Sequence, residues 1–293
     1  MGDVIVPENY PSPLITIGMP VYNGEAFIRA ALDSLLGQSF RDFILIISDN
    51  ASTDGTETIC REYAIRDSRI RYVRQQKNLG AEANFSSVFR EANTDFFMWA
   101  AVDDIKSRDF LEGNLSFLLD HPDYVGSTSP VRFRGGEFDQ IKMGDASLDD
   151  EDRYERLTRY FSGWHANGRF YSLFRREAII GWKNLNDGFL GSDWTLVTYL
   201  ALKGKLNRLA TGWVELGIDG FSNTSDIFAH YRKRWIDWVF PFNRLAFDTL
   251  EKMSGASSSQ RLRVLWSLLR LNSKAFRAQF YAMLRRKKAA GLI

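Results

Sequence analysis

The stretch Trp99-Ala100-Ala101-Val102-Asp103-Asp104-Ile105-Lys106-Ser107 delivers two adjacent carboxylates directly off an apolar, aromatic run that begins at Phe96. Phe96 to Ala100 is short and continuously apolar, bounded by Asn93-Thr94-Asp95 on one side and by the acidic pair on the other, the pattern of a strand buried on both faces. The pair therefore lies at a strand's carboxyl end. Ligands of open α/β sheets collect outside those ends, so two aspartates there are placed to hold a divalent metal or to meet a substrate. Taken alone, they also suit a solvated turn that caps the helix following Ser107, Arg108 and Asp109. The surrounding sequence decides between the two.

Upstream, Leu14 to Gly18 reads as a first strand, closed by Pro20 in the loop Met19-Pro20-Val21-Tyr22-Asn23-Gly24. Apolar positions from Phe27 to Leu36 then recur at helical spacing up to Gly37. Phe43 to Ile47 is a second strand, running into the turn-rich Ser48-Asp49-Asn50-Ala51-Ser52-Thr53-Asp54-Gly55 and a helix from Glu57 to Ala64. Ile70 to Val73, the turn Asn78-Leu79-Gly80 and a helix from Ala81 to Ala92 complete the alternation before Phe96. Repeated strand, loop and helix predict right-handed crossovers and a mainly parallel α/β sheet.

Downstream, the pattern predicts a helix over Phe110 to Leu119, one strand over Val125 to Phe133, an exposed acidic loop or helix start over Gly144 to Asp152 and a helix over Tyr154 to Phe161. An aromatic strand over Phe170 to Phe174 follows, and Arg175-Arg176-Glu177 opens a short helix. The glycine-bounded turn Leu190-Gly191-Ser192-Asp193 opens a helix from Trp194 to Leu202, with Asp193 suited to be its N-cap. Gly217 to Asp226 reads as a polar loop, and the chain is helical from Ile227 onward, broken over Ser254 to Ser259. In this tail Tyr231-Arg232-Lys233-Arg234-Trp235 and Arg285-Arg286-Lys287-Lys288 mix cations with aromatic and aliphatic residues. That composition fits an interfacial helix on anionic lipid, and equally an amphipathic helix packed on the domain with its basic face in water.

With 293 residues and an ordinary apolar share, the chain supports one large domain or a domain with an appendage. Its formal net charge of +2 gives no chain-wide field for nucleic acid. Cys60 is the only cysteine, which excludes a disulfide within the chain and a cysteine-based zinc cluster. Its place beside Ile59 on a helix reads as core packing. Met1 to Tyr10 has no basic flank followed by an apolar run, and no stretch is apolar for the length of a membrane span. The expected location is cytoplasmic.

Taken together and in order, Pro20-Val21-Tyr22-Asn23, Ser48 to Thr56, Asn78-Leu79-Gly80 and Val102-Asp103-Asp104 resemble the family 2 glycosyltransferases, whose fold is GT-A. The resemblance runs from about Leu14 to about Ser225 and is strongest over the first half. It implies a GT-A domain over 1–225, with a nucleotide-binding half over 14–120 and an acceptor half over 121–225, followed by a helical extension over 226–293. It also implies that Pro20, Tyr22, Asn23 and Asp49 hold the nucleoside of a nucleoside-diphosphate sugar. Tyr22 would stack on the base while Asp49 accepts its imide or amino proton. Asn84 falls on a recurring polar position of that donor site, as does Asp54. Asp103 maps onto the metal-binding aspartate, with Asp104 as its neighbour, and Mg²⁺ or Mn²⁺ suits such oxygen ligands. The family motif carries a further carboxylate just before this aspartate, where this chain has Ala101 and Val102.

In inverting members a carboxylate at the start of a helix in the second half acts as general base, and Asp193 stands in that position. Ser192 replaces the acid that commonly precedes the base, and Asp187 is the reserve. Trp164, His165 and Trp194 suit either a sugar-facing role or packing. The resemblance implies an inverting, metal-dependent sugar transfer to a hydroxyl of a glycan or lipid-linked acceptor in bacterial surface polysaccharide assembly. The tail is then either a peripheral membrane contact or a homo-oligomer contact. The alternative is a nucleotide-sugar binding or scaffold protein that has lost catalysis. A nucleotidyltransferase would show a glycine-rich basic loop after the first strand, which Met19 to Gly24 lacks.

Overall fold

The computed structural model describes residues 12–183, 188–218 and 227–289, the side chains of 285–289 excepted. The leader, the reserve base Asp187 and the boundary at 225/226 lie outside the described residues. Strands β1 (Ile15–Val21), β2 (Phe43–Asp49), β3 (Ile70–Arg74) and β4 (Phe96–Trp99) are joined by helices α1 (Ile28–Leu36), α2 (Thr56–Arg66) and α3 (Ala81–Arg90). β1 is buried along its whole length and β2 nearly so, which is why both read as continuous apolar runs. Strands β5 (Ile105–Lys106), β6 (Tyr124–Thr128), β7 (Val131–Phe133), β8 (Leu173–Arg175), β9 (Lys205–Arg208) and β10 (Val214–Leu216) complete two sheets.

The larger sheet has the order β3-β2-β1-β4-β8-β6-β9, parallel from β3 to β4, with β8 antiparallel to both its neighbours. A smaller sheet, β5-β10-β7, lies beside it. The α/β architecture with a mainly parallel sheet is the one the alternation predicts. Three local readings change. β1 runs through Pro20, because Gly18 and Val21 offer their carbonyls to opposite neighbours, Ala100 and Asn50. By this alternation the missing N–H of Pro20 faces the side where β4 has already ended, and no ladder bond is lost. The single strand expected over Val125 to Phe133 is two, broken at Ser129-Pro130 and shared between the two sheets. Phe170 belongs to a 3₁₀ turn, Gly168–Tyr171, and its ring stacks on Trp99 at 5.1 Å.

Helices α4 (Phe110–Asp120), α5 (Gln140–Met143), α6 (Arg153–Tyr160), α7 (Arg176–Ile179) and α8 (Trp194–Lys203) flank the second half. The acidic stretch before α6 is not uniformly exposed. Asp145 is fully buried, accepts from the Val131 N–H at 2.8 Å and pairs with Arg208 at 2.9 Å, while buried Arg169 donates to the Asp145 and Ala146 carbonyls. Asp145→Ala leaves two guanidinium groups without their counter-charge, and about 3–5 kcal/mol is the expected loss, read from the denaturant midpoint.

Four helices close the chain: α9 (Ile227–Tyr231), α10 (Ile236–Val239), α11 (Asn243–Glu251) and α12 (Ser258–Ala289). Val264, Leu268, Leu271 and Ala275 of α12 share a core cluster with Leu196, Val197 and Leu200 of α8. Polar ties reinforce the packing: Asn272 accepts from the Phe242 N–H at 2.8 Å, and Gln260 donates to Asp152 at 2.7 Å. One face of the tail is therefore part of the domain's core. No helix among the described residues is long and apolar enough to cross a membrane.

Candidate functional site

At the carboxyl ends of β1 and β2 two loops are sewn together. Asn23 adopts a left-handed φ of 52°, donates its N–H to Ser52 Oγ at 2.9 Å and accepts from the Thr53 N–H at 2.8 Å. Tyr22, beside it, is 48 % exposed, a flat ring offered to solvent. Pro20 is buried one residue behind Val21, within the strand. Asp54 accepts from the Glu25 N–H and from Thr56, and so supports the turn into α2.

Two expected nucleoside contacts are placed differently. Asp49 has no exposed surface and is fully engaged: it accepts from the Ser52 N–H at 2.8 Å, from the Tyr72 hydroxyl at 2.6 Å and from Arg74 at 2.5 Å. Burial would raise its pKa, but these donors outweigh burial and hold it below the usual carboxylate value. In this conformation it anchors the loop instead of presenting an oxygen to a base. Asn84 is likewise buried, its amide donating to the Ser48 carbonyl at 2.9 Å and its carbonyl accepting from Ser48 Oγ at 2.6 Å. Asn84 ties α3 to β2. Cys60 is buried nearby, where burial pushes its thiol up to about 12, far from nucleophilic use.

The acidic pair lines a cavity of about 680 Å³. Asp103 is half-buried and lines it, and its backbone carbonyl accepts from Arg134 at 2.9 Å. Asp104 is buried: one carboxylate oxygen accepts from the Gly217 N–H at 3.1 Å and the other has no hydrogen-bond partner. Burial pushes its carboxyl up to about 6, opposed by the charge of Lys106. The Lys106 ammonium, itself buried, lies 5.4 Å from the Phe110 ring centroid and 5.8 Å from that of Tyr171. Gly217 braces both aspartates, since a Cβ there would lie 1.9 Å from Asp103 Oδ2 and 2.7 Å from its Cβ. Gly217→Ala must displace Asp103, and the expected result is about a tenfold loss of nucleotide affinity with Mn²⁺, about 1.4 kcal/mol, read by calorimetry.

No group of three or more His, Cys, Asp or Glu side chains able to hold a metal occurs among the described residues. The donor set still suits a hard divalent cation held by one or two carboxylates, with phosphate oxygens and water completing the shell. Asp103 and Asp104 both line the cavity, and one carboxylate oxygen of Asp104 has no hydrogen-bond partner.

Asp193 opens onto the same cavity at the start of α8. Its side chain makes no cap bond to its own helix. Instead one carboxylate oxygen accepts from Asn167 Nδ2 at 2.8 Å, and the Asn167 carbonyl accepts from the Tyr160 hydroxyl at 2.7 Å, which fixes which way the amide points. Asn167 holds this place from a left-handed φ of 52°, in a turn ahead of Gly168. Asp193 is exposed toward the cavity, yet desolvation by the surrounding protein raises its pKa, and the Asn167 bond opposes that rise. His165 stacks flat on Trp194 at 3.9 Å, accepts from the Asn167 N–H at Nδ1 and donates from Nε2 to the Tyr160 carbonyl. Burial pushes the imidazole down to about 4, so it is neutral near pH 7 and packs beside Asp193 as an uncharged ring.

The structure thus brings Asp103, Asp104 and Asp193 to one cavity and leaves Tyr22, Asn23 and Asp49 on the neighbouring β1–β2 edge. Trp164, His165 and Trp194 line the cavity, together with Trp99, Phe170 and Trp182, whose place on its wall is not evident from the sequence. Asn167 and Tyr160 were also missed. Asn167-Gly168 is a turn dipeptide whose first residue tolerates the left-handed region, a signal present in the sequence.

Comparison with known proteins adds the family. A profile described as glycosyl transferase family 2 matches residues 16–181. Glycosyltransferase GlyA of Streptococcus pneumoniae serotype 4 is 24 % identical over 242 residues, 74 % of this chain and 35 % of that protein. The chain thus spans about a third of that relative's length. The GalNAc(5)-diNAcBac-PP-undecaprenol beta-1,3-glucosyltransferase of Campylobacter jejuni is 25 % identical over 190 residues, 63 % of this chain and 58 % of that enzyme. Among solved structures, the mannosyltransferase PcManGT of Pyrobaculum calidifontis, in complex with GDP-Man and Mn²⁺, superposes with a TM-score of 0.62 at 18 % identity, covering 98 % of this chain and 80 % of that one. That likeness supports the GT-A fold, and the profile covers more than half of the chain, which therefore belongs to glycosyl transferase family 2.

Proposed function

We propose that this glycosyltransferase is an inverting, metal-dependent enzyme that moves one sugar from a nucleoside-diphosphate donor to a hydroxyl of a glycan or lipid-linked acceptor. The observation that carries the reading is the convergence of Asp103 and Asp193 on one aromatic cavity, with Asp193 oriented by Asn167. The nucleotide-binding half is 14–120 and the acceptor half 121–225. Tyr22 packs on the base, Asn23 and Pro20 shape its loop, and Asp49 and Asn84 act one step back by holding the β1–β2 edge in place. Asp103, beside Asp104, would hold Mg²⁺ or Mn²⁺, which would supply positive charge toward the diphosphate of the donor.

Asn167 occupies one oxygen of Asp193, leaving the other to take the proton of the acceptor hydroxyl as that oxygen attacks the anomeric carbon. Attack from the face opposite the diphosphate inverts the configuration in one displacement. Aromatic walls exclude water and pack on sugar rings. The enzyme works at the cytoplasmic face of the membrane, with its C-terminal helices as the peripheral contact.

A second reading, a nucleotide-sugar binding protein without turnover, is favoured by one observation: Ala101 and Val102 leave the described metal site without a third carboxylate. Titration of UDP, GDP, dTDP and CDP with and without Mn²⁺ tests the proposal. Metal-dependent binding of one nucleotide together with turnover of its sugar is the expected result. Metal-independent binding without turnover selects the second reading.

A further inference from the structure

Helix α12 is apolar on two sides. Its buried side packs on the domain, while Leu262, Leu265, Trp266, Leu269, Phe276 and Phe280 recur at steps of about three, four or seven residues and stay exposed. Leu262 is 65 % and Trp266 58 % exposed, a row of large apolar side chains of the kind that marks an interaction surface. The helix carries nine Lys or Arg and no Asp or Glu over Ser258–Ala289. Exposed Arg270, Lys274 and Arg277 form a cationic flank at helical spacing beside the row, and Arg270 lies over the Trp266 ring at 5.2 Å. Trp235 and Phe247, beside α10 and on α11, are exposed as well, at 77 % and 68 %.

Charge separates the occupants of this face. A second copy would bring two cationic helices together with no carboxylate on either to compensate them. A bilayer containing anionic phospholipid satisfies both features at once, taking the apolar row at the acyl boundary and the cations at phosphate level. We propose that this face of α12 is the membrane-docking surface of the enzyme, selective for anionic phospholipid. The proposal deepens the peripheral contact stated above and rests on it. Ile227, Tyr231 and Phe242 from the same helical region line the cavity.

Flotation of the full chain with vesicles of phosphatidylcholine, alone or mixed with phosphatidylglycerol, tests this directly. At least a tenfold preference for the anionic vesicles is expected, falling at least tenfold in Trp266→Glu/Phe280→Glu, whose substituted positions are both exposed. The variant should keep the wild-type circular dichroism and the wild-type affinity for nucleotide in solution, a readout that stands or falls with the transferase reading alone. Absence of flotation, or equal flotation of wild type and variant, overturns the docking surface. So does a wild-type dimer in vesicle-free buffer that the variant splits, because the face is then a self-interface.

Discussion

Asp193→Asn should lower kcat for sugar transfer by about 10²–10⁴-fold, the range for removing a positioned general base, and leave the dissociation constant of the nucleoside diphosphate unchanged. The substitution keeps the size of the side chain and removes only the group that takes the proton. Measurement of kcat alongside calorimetric nucleotide binding separates the two effects. The pH dependence carries a sign that a packing role would not produce. The base works when ionised, so kcat falls as pH drops through its pKa, and burial places that limb above the ordinary carboxylate range. The Asn167 bond holds the pKa down, so Asn167→Ala moves the limb to higher pH and Tyr160→Phe moves it less. A limb that stays in place in Asn167→Ala removes Asn167 from this role.

Asp103→Ala carries the second large effect. The variant should lose the Mn²⁺-dependent part of nucleotide binding and drop kcat/KM by at least about 10²-fold, about 2.7 kcal/mol of transition-state stabilisation. Binding titrations at several Mn²⁺ concentrations check this. Wild-type metal dependence in the variant would move the cation to Asp104 or to a group outside the described residues.

Half of the sheet was legible because β1, β2 and β4 are buried on both faces or nearly so: they announce themselves as apolar runs that end in polar loops, and Asp103 follows from the last of them. Pro20 misled because its effect depends on which neighbour its missing N–H would face, and that is a property of the assembled sheet. Asp49 and Asn84 were found at the right edge but not in their bonding state, since Tyr72, Arg74 and Ser48 reach them from adjacent strands. The helix start at Asp193 was legible from its glycine-bounded turn, while its reading as a base came from the family resemblance. Its partner Asn167 lies 26 residues earlier in the chain, and the contact exists only once the 3₁₀ turn is folded against α8. Gly217 is the same case at 113 residues from Asp104. The exposed row on α12 is written at helical spacing, yet only the packed structure shows which of its two apolar stripes the core uses.

Hydrolysis of sugar donors by the wild-type chain, followed by proton NMR of the anomer first released, tests the central claim most directly. With an α-configured donor of the nucleotide that binds, and Mn²⁺ present, the account predicts release of nucleoside diphosphate with the β-anomer as first product, and silence from Asp193→Asn. Release of the α-anomer, or equal turnover by Asp193→Asn, would contradict single-displacement inversion with Asp193 as the base.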